Sequence, residues 1–338
     1  MTTAADPNAD GLPLEEVPCD YCGSMEADIV LAGRDRMSGW PGRFHVVRCR
    51  QCGLARTNPR PTLEALGKAY PATYECYRAD SLPAGPPRGF LRWALINYRG
   101  YPPGRRSPAI VRWLLAPWAA LRLRNRKAVG YLPFEGDGRL LDFGCGSGRY
   151  VAQMAAAGWR AEGMDLVASA VRTGRRMGLT IHEGTLPGAA LPEASYDLVT
   201  LWHALEHVPS PLATLKAARA LLRPGGRLAV VCPLSDSLTA RWFGEAWYGL
   251  DVPRHLTHFT QATLGRHLES AGFVVESVHP IRRPTFVHRS FGYRAEDTGR
   301  WIHRRLSRCH ALSRGVSHLA AALRRTDEAL FIAKRPQG

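Results

Sequence analysis

From residue 138 onward, short apolar runs alternate with stretches whose apolar positions recur every three or four residues. Runs of the first kind read as buried strands and those of the second as amphipathic helices. The pattern predicts strands over 139–143, 161–164, 179–182, 196–201, 227–232, 273–279 and 329–334. Helices are predicted over 149–157, 168–177, 211–222 and 260–271, with Gly272 placed for a left-handed cap. Strands alternating with helices predict an α/β fold with a doubly wound parallel sheet covered on both faces. Ahead of residue 138 the texture differs. Residues 62–80 read as a Tyr-rich helix and 81–107 are crowded with Pro, Gly and Arg. Over 109–127, apolar and basic residues mix at helical spacing, interrupted by Pro117. No run approaches the ~18 apolar residues of a membrane-crossing helix.

The strand at 139–143 leads into Leu140-Leu141-Asp142-Phe143-Gly144-Cys145-Gly146-Ser147-Gly148. Glycines let a strand-to-helix turn close sharply and let a ligand approach bare backbone, and the helix start that follows offers free N–H groups. The spacing is G-x-G-x-G, not the G-x-G-x-x-G of dinucleotide sites. Asp165 ends the next strand 17 residues after Gly148, where a carboxylate can hold both hydroxyls of a ribose.

This stretch resembles class I S-adenosylmethionine-dependent methyltransferases, which have a Rossmann-like, seven-stranded doubly wound sheet. The resemblance extends to Glu183-Gly184-Thr185-Leu186, to Tyr196-Asp197-Leu198-Val199-Thr200 and to Leu222-Arg223-Pro224-Gly225-Gly226-Arg227-Leu228, in the family's order. It implies S-adenosylmethionine as cofactor, its methionine part cupped by Gly144, Cys145, Gly146 and Gly148. Asp142 would fix the loop and the ammonium, Asp165 the ribose, and Leu166, Thr185 and Leu186 would border the adenine. Many relatives carry Asp where this chain has Thr185.

Trp202-His203-Ala204-Leu205-Glu206-His207-Val208 follows the fourth strand. Glu206 and His207 resemble the Glu-His pair of quinone-ring O-methyltransferases, which makes His207 the candidate base and Glu206 its partner. Histidine suits removal of a hydroxyl proton near neutral pH. A packing role at the strand end is the alternative. The run from Trp247 to Phe259 carries Trp247, Tyr248, His255, His258 and Phe259. It suits either an acceptor pocket, with His255 as a second candidate base, or a structural connection. Glu206, His207, His255 and His258 also form a set that could bind a metal.

The chain has eight cysteines, four of them in Cys19-x-x-Cys22-Gly23 and Cys49-x-x-Cys52-Gly53. Two such knuckles bring four thiolates into a tetrahedron suited to Zn²⁺. Gly after each second Cys lets the turn aim its N–H groups at sulfur. A structural zinc ribbon is the expectation. Nucleic-acid binding by the ribbon, or an iron site of rubredoxin type, stays open. A four-cysteine start ahead of this body resembles bacterial enzymes of antibiotic-sugar and cell-surface glycan pathways.

Charge changes the picture locally more than globally. Lys+Arg total 45 and Asp+Glu 29, a net +16, yet only four of the basic residues are Lys. Such an Arg excess reads as GC-rich coding bias as much as selection for polyanions. Residues 88–127 hold ten basic residues and no acid, with Phe90, Trp93, Tyr98, Tyr101, Trp113 and Trp118 among them. That composition fits a packed helix with a solvated basic face, contact with a membrane surface, or nucleic acid, in that order. Residues 1–28 hold seven acids and no Lys or Arg, unlike a secretory leader. The expectation is a cytoplasmic protein, peripheral at the inner membrane face if residues 88–127 dock there.

The organisation read from these features is a flexible lead-in at 1–18, a zinc ribbon at 19–60 and a helical, basic aromatic connector at 61–130. A methyltransferase domain then fills 131–338, with acceptor-site insertions at 233–259 and 281–325, the second a lid or dimer element. The leading function is methylation, at oxygen, of a small-molecule, glycan or lipid-linked acceptor. An RNA methyltransferase gripping phosphates through ribbon and basic segments is a second reading. A binding module that keeps the cofactor fold without turnover is a third. No Asn-Pro-Pro-Tyr type motif follows Thr200, which argues against base amines of nucleic acids as acceptor.

Overall fold

The computed structural model describes residues 12–70, 85–102, 104–123 and 130–337. A seven-stranded sheet is built from β1 (Arg139–Phe143), β2 (Arg160–Asp165), β3 (Ile181–Glu183), β4 (Tyr196–Trp202), β5 (Leu222–Pro233), β6 (Val274–Ile281) and β7 (Glu328–Lys334). Its order is β6-β7-β5-β4-β1-β2-β3. β1 pairs in parallel with both β2 and β4, and β2 with β3, so the winding reverses beside β1 as in a Rossmann-like fold. β5 is longer than its apolar run predicts. Gly225 N–H donates to the Arg335 carbonyl and Arg335 N–H to that of Gly226, which draws the Arg223-Pro224-Gly225-Gly226 turn into the ladder.

The chain divides into two compact units, Met1–Ala72 with His203–Lys216 and Val230–Phe331, and Thr73–Trp202 with Ala217–Ala229 and Ile332–Gly338. In the second unit Leu140, Leu141, Met164, Val199 and Leu201 are buried, as expected of strands covered on both faces. Helices Arg149–Ala156 and Ala168–Arg176 follow β1 and β2. Helix Gly89–Arg99 ends on Gly100 in the left-handed region and packs on helix Ala109–Leu123. The second of these does not break at Pro117. The proline removes one hydrogen bond, to the Trp113 carbonyl, and that turn lies on the exposed side of the helix.

In the first unit a four-stranded sheet has the order Thr257–His258, Ala55–Thr57, Phe44–Cys49, Ala27–Gly33. The three N-terminal strands are those of the cysteine module. The fourth comes from far along the chain, Thr257 pairing with Arg56 and His258 with Ala55. Phe44, Val46 and Ala55 share a core with Trp247, Leu250, Val252 and Phe286. Of the expected lead-in, residues 1–11 lie outside the described residues, while Leu12 is buried and Leu14–Glu15 pairs with Arg60–Pro61. Of the helix predicted over 62–80, Leu63–Leu66 and one tighter turn at Gly67–Ala69 are present, capped by Thr62; residues 71–80 lie outside the described residues. The segment between β6 and β7 forms helices Pro284–Thr298, Trp301–Ser307 and His310–Ala322. Among the described residues no helix is long and apolar enough to cross a membrane.

Candidate active site

In the second unit, β1 delivers its last residues into a turn whose Gly144, Gly146 and Gly148 all have positive φ (73°, 56° and 89°). A side chain at Gly148 would also strike Leu179 and Ile181, at 2.6 and 2.8 Å from its Cβ. The turn is tied to the end of β2. Gly144 and Cys145 donate N–H to the Met164 carbonyl, and Gly146 N–H donates to Asp165 Oδ2 at 2.8 Å. Asp165 Oδ1 accepts from Val167 N–H at 2.9 Å. Backbone N–H groups of Gly146, Val167 and Leu166 thus hold the carboxylate at the end of β2. Burial raises the Asp165 carboxyl above its ordinary range, opposed by these N–H groups. Asp142 is buried behind the turn and accepts from Thr200 Oγ1 at 2.6 Å. Burial lifts its pKa to about 7, against the Thr200 bond and helped by the Asp165 charge.

Leu166 is 68% exposed and, with Gly184, Thr185, Gly188 and Leu191, lines a cavity of about 510 Å³. The predicted cofactor residues Asp142, Gly144, Cys145, Gly146, Gly148, Asp165, Leu166 and Thr185 therefore gather at the carboxyl ends of β1 and β2 and the end of β3. Leu186 does not line this cavity; its side chain is buried. The fit to S-adenosylmethionine rests on the bare turn, the two-oxygen carboxylate at the end of β2 and the cavity beside it.

The first unit holds a cluster of histidines around Glu206. His203 stands at φ 53°, a left-handed conformation unusual for a residue with a Cβ. It aims Nδ1 at Glu206 Oε1 (3.4 Å) and Nε2 at Glu328 Oε2 (3.0 Å); Arg283 Nε reaches the other Glu328 oxygen at 2.5 Å. Both glutamates are almost fully buried. Burial would raise Glu206, but the His203 bond and the surrounding imidazoles outweigh it and hold its pKa at about 2. Burial would lower His203, but the two glutamates outweigh it and lift it to about 9. His203 is the protonated member of the cluster.

The other imidazoles differ. His255 is buried with Nδ1 3.0 Å from the Gly249 carbonyl, and its Nε2 lies 4.0 Å from Glu206 Oε1. Burial and the neighbouring His207 push its pKa well down, and burial lowers His258 to about 4. His207 is half-buried, with Nδ1 3.1 Å from the Arg254 carbonyl and 2.9 Å from Tyr70 Oη, its ring 4.6 Å from that of His255. A carbonyl can only accept, so Nδ1 of His255 carries the proton and its Nε2 keeps the lone pair, whereas Nδ1 of His207 can donate to the Arg254 carbonyl or accept from the Tyr70 hydroxyl. Glu206, His207 and His255 present ligand atoms within 4.8 Å of one another.

The loop bearing these groups is firmly held. Arg254 is fully buried between Asp35 Oδ1 (2.8 Å) and Asp251 Oδ1 (2.5 Å). Thr57 Oγ1 donates to the His255 carbonyl at 2.6 Å and lies 3.0 Å from His258 Nε2. Trp247 Nε1 donates to buried Asp327, and Phe259 is buried. Of the two readings of the 247–259 run, these aromatics take the structural one. Glu206, His207 and His255 lie together as their motifs suggested, whereas His203, Glu328, Tyr70 and Thr57 join them without having been singled out. The H-x-x-E spacing of His203 and Glu206 was a usable signal; the others had none.

Cys19, Cys22, Cys49 and Cys52 converge, with Sγ pairs 19–52 and 22–49 at 3.4 and 3.5 Å. The edge of a tetrahedron with ~2.3 Å zinc–sulfur bonds is about 3.8 Å, so the set fits Zn²⁺ closely. Gly23 and Gly53 both adopt positive φ, as the knuckle turns require. The module rests on the body of its unit. Asp20 accepts from Ser210 Oγ and Leu212 N–H, and Arg266 donates to the Cys52 carbonyl.

A family model described as a methyltransferase domain matches residues 112–278. Curated relatives named ubiquinone biosynthesis O-methyltransferase include one from Bordetella pertussis, 38% identical over 95 residues, covering 26% of this chain and 39% of the relative. One from Vibrio parahaemolyticus is 34% identical over 132 residues, 35% and 55% of the two chains. A third, from Xanthomonas euvesicatoria, is 30% identical over 155 residues, 41% and 64%. The chain thus spans less than two thirds of the length of each. Among solved structures, an S-adenosylmethionine-dependent methyltransferase from Mesorhizobium loti aligns with a TM-score of 0.43 at 20% identity, over 65% of this chain and 98% of that one.

Proposed function

With residues 112–278 a methyltransferase domain, we propose that the protein transfers a methyl group from S-adenosylmethionine to an oxygen of a small-molecule, glycan or lipid-linked acceptor. Bound S-adenosylmethionine supplies an electrophilic methyl carbon on a sulfonium. In this reading the turn at 144–148 receives the methionine part, Asp165 takes the ribose hydroxyls, and the cavity lined by Leu166 and Thr185 takes the adenine. Oxygen as the acceptor atom is supported by the relatives' name. The C–S bond breaks as the C–O bond forms, and the hydroxyl proton passes to His207 Nε2, leaving S-adenosylhomocysteine and the methyl ether. Glu206 acts through His203, its ion-pair partner, to order the cluster.

The observation that carries the base assignment is the exposure of the His207 ring, the least buried of the His207, His255 and His258 set. Donation from its Nδ1 to the Arg254 carbonyl, in this reading, leaves Nε2 free to accept the proton. A zinc ion held by Cys19, Cys22, Cys49 and Cys52 belongs to the same proposal and is structural, securing the sheet whose outer strand is Thr257–His258. The test is His207→Ala, assayed by transfer of labelled methyl to a panel of hydroxyl-bearing acceptors. Turnover falls ~100-fold or more while S-adenosylhomocysteine affinity stays within a few fold. A loss confined to cofactor affinity would move His207 to the scaffold.

A further inference from the structure

Helix Ala109–Leu123 is turned the wrong way for a surface helix. Ile110, Trp113, Leu114, Trp118 and Leu121 recur at the spacing of a single helical face and are 61, 73, 54, 62 and 74% exposed. Pro117 lies on the same face and is exposed too. A surface helix of a globular protein puts such a stripe inward and its charges outward. Here the opposite side, with Ala119 and Leu123, is the buried one. That side is anchored against helix Gly89–Arg99, where Tyr98 Oη donates to the Arg112 carbonyl and Arg99 to that of Leu123. Of the aromatics in residues 88–127, Tyr101 is buried and Trp93 is half-buried, bonded to Ser107. Phe90 and Tyr98 are 38 and 39% exposed, and the two tryptophans of the stripe are the most exposed of these aromatics.

We propose that this face docks the protein on an anionic lipid bilayer, the helix lying in the interface plane with Ile110, Trp113, Leu114, Trp118 and Leu121 inserted. A contiguous exposed apolar stripe marks an interaction surface. Charge selects its occupant. Arg88, Arg92, Arg105 and Arg106 are exposed, and residues 88–127 contain no acid to offset them. A second copy placed on the same face by a two-fold axis would bring two copies of this basic, acid-free segment together. An anionic leaflet attracts them, while tryptophans favour the headgroup level that such a helix occupies. Fifteen residues rise only about 22 Å, short of a bilayer core, so the helix lies on the membrane and does not cross it.

The experiment is co-sedimentation of the full chain with phosphatidylethanolamine–phosphatidylglycerol vesicles and, separately, with phosphatidylcholine vesicles. Brominated lipid serves as a quencher of tryptophan emission. The expected result is binding to the anionic vesicles, weakened by salt, with quenching by brominated lipid. The triple variant Trp113→Ser, Trp118→Ser, Leu121→Ser binds at least ~10-fold more weakly. Its S-adenosylhomocysteine affinity and circular dichroism, equal to wild type, establish that it is folded. Neither readout needs the acceptor. Equal binding to neutral and anionic vesicles, or undiminished binding by the triple variant, overturns the proposal. So does absent vesicle binding with a dimer that the triple variant converts to monomer, which would assign the face to a second copy.

Discussion

Replacing Thr57 by Val removes one hydroxyl and changes the shape of the side chain little. Thr57 is fully buried in the strand Ala55–Thr57, and its Oγ1 lies 2.6 Å from the His255 carbonyl and 3.0 Å from His258 Nε2. The hydroxyl proton goes to the carbonyl, so His258, neutral with its pKa lowered to about 4 by burial, must donate Nε2–H in return. Valine leaves one acceptor and one donor unpaired in a site that excludes water. Each orphaned group costs about 1–2 kcal/mol, so the variant loses about 2–4 kcal/mol of stability. The methyl that replaces the hydroxyl recovers little of this. Urea denaturation of wild type and Thr57→Val measures the loss, and calorimetry with S-adenosylhomocysteine tests whether it stays in the unit of the histidine cluster. The expected outcome is a drop of that size with cofactor affinity unchanged within twofold. A change below ~0.5 kcal/mol would refute this reasoning, because the cysteine module would then not be what holds the histidine loop.

Two further outcomes follow from the same unit. Elemental analysis of purified protein gives one zinc per chain, which Cys52→Ser abolishes together with a lowered denaturation midpoint; metal-free wild type with an unchanged midpoint contradicts the ribbon. His203 has a folded pKa of about 9 against an ordinary 6.5, so its ion pairs with Glu206 and Glu328 contribute fully below ~6.5 and are lost as pH rises through about 9. Wild-type unfolding temperature should therefore decline between ~pH 7 and ~pH 9.5, and His203→Gln should be less stable at pH 7 and show a flatter profile. A steeper profile in the variant would reverse the assignment of charge.

Much of the fold was legible because β1 and β4 are mainly apolar runs bounded by glycine, acid or turn residues, a signal contained in a few adjacent positions. The predicted 139–143 strand is β1 residue for residue. The glycine turn and the cysteine knuckles were legible for the same reason, since their chemistry demands residue types at fixed short spacing. What escaped was long-range pairing. Nothing local to His203 tells that Glu328 will lie against it, or that Thr57 will hold the carbonyl of His255. Arg254, charged and set in a loop just ahead of His255, reads as a surface or site residue; two aspartates, one of them distant Asp35, allow it to be fully buried. Helix Ala109–Leu123 has the periodicity of an ordinary packed helix. Only the structure reveals that its apolar stripe faces outward.

The central claim is that the turn at 144–148 and Asp165 form an S-adenosylmethionine site, and isothermal calorimetry with S-adenosylhomocysteine tests it without knowledge of the acceptor. Wild-type protein is expected to bind at one site per chain. Gly146→Arg should abolish binding, because φ is 56° there and the new side chain fills the space the bare backbone leaves. Asp165→Ala should weaken it at least ~10-fold through loss of the two-oxygen partner for the ribose. Folded wild-type protein that binds neither S-adenosylhomocysteine nor S-adenosylmethionine would contradict the claim at its base.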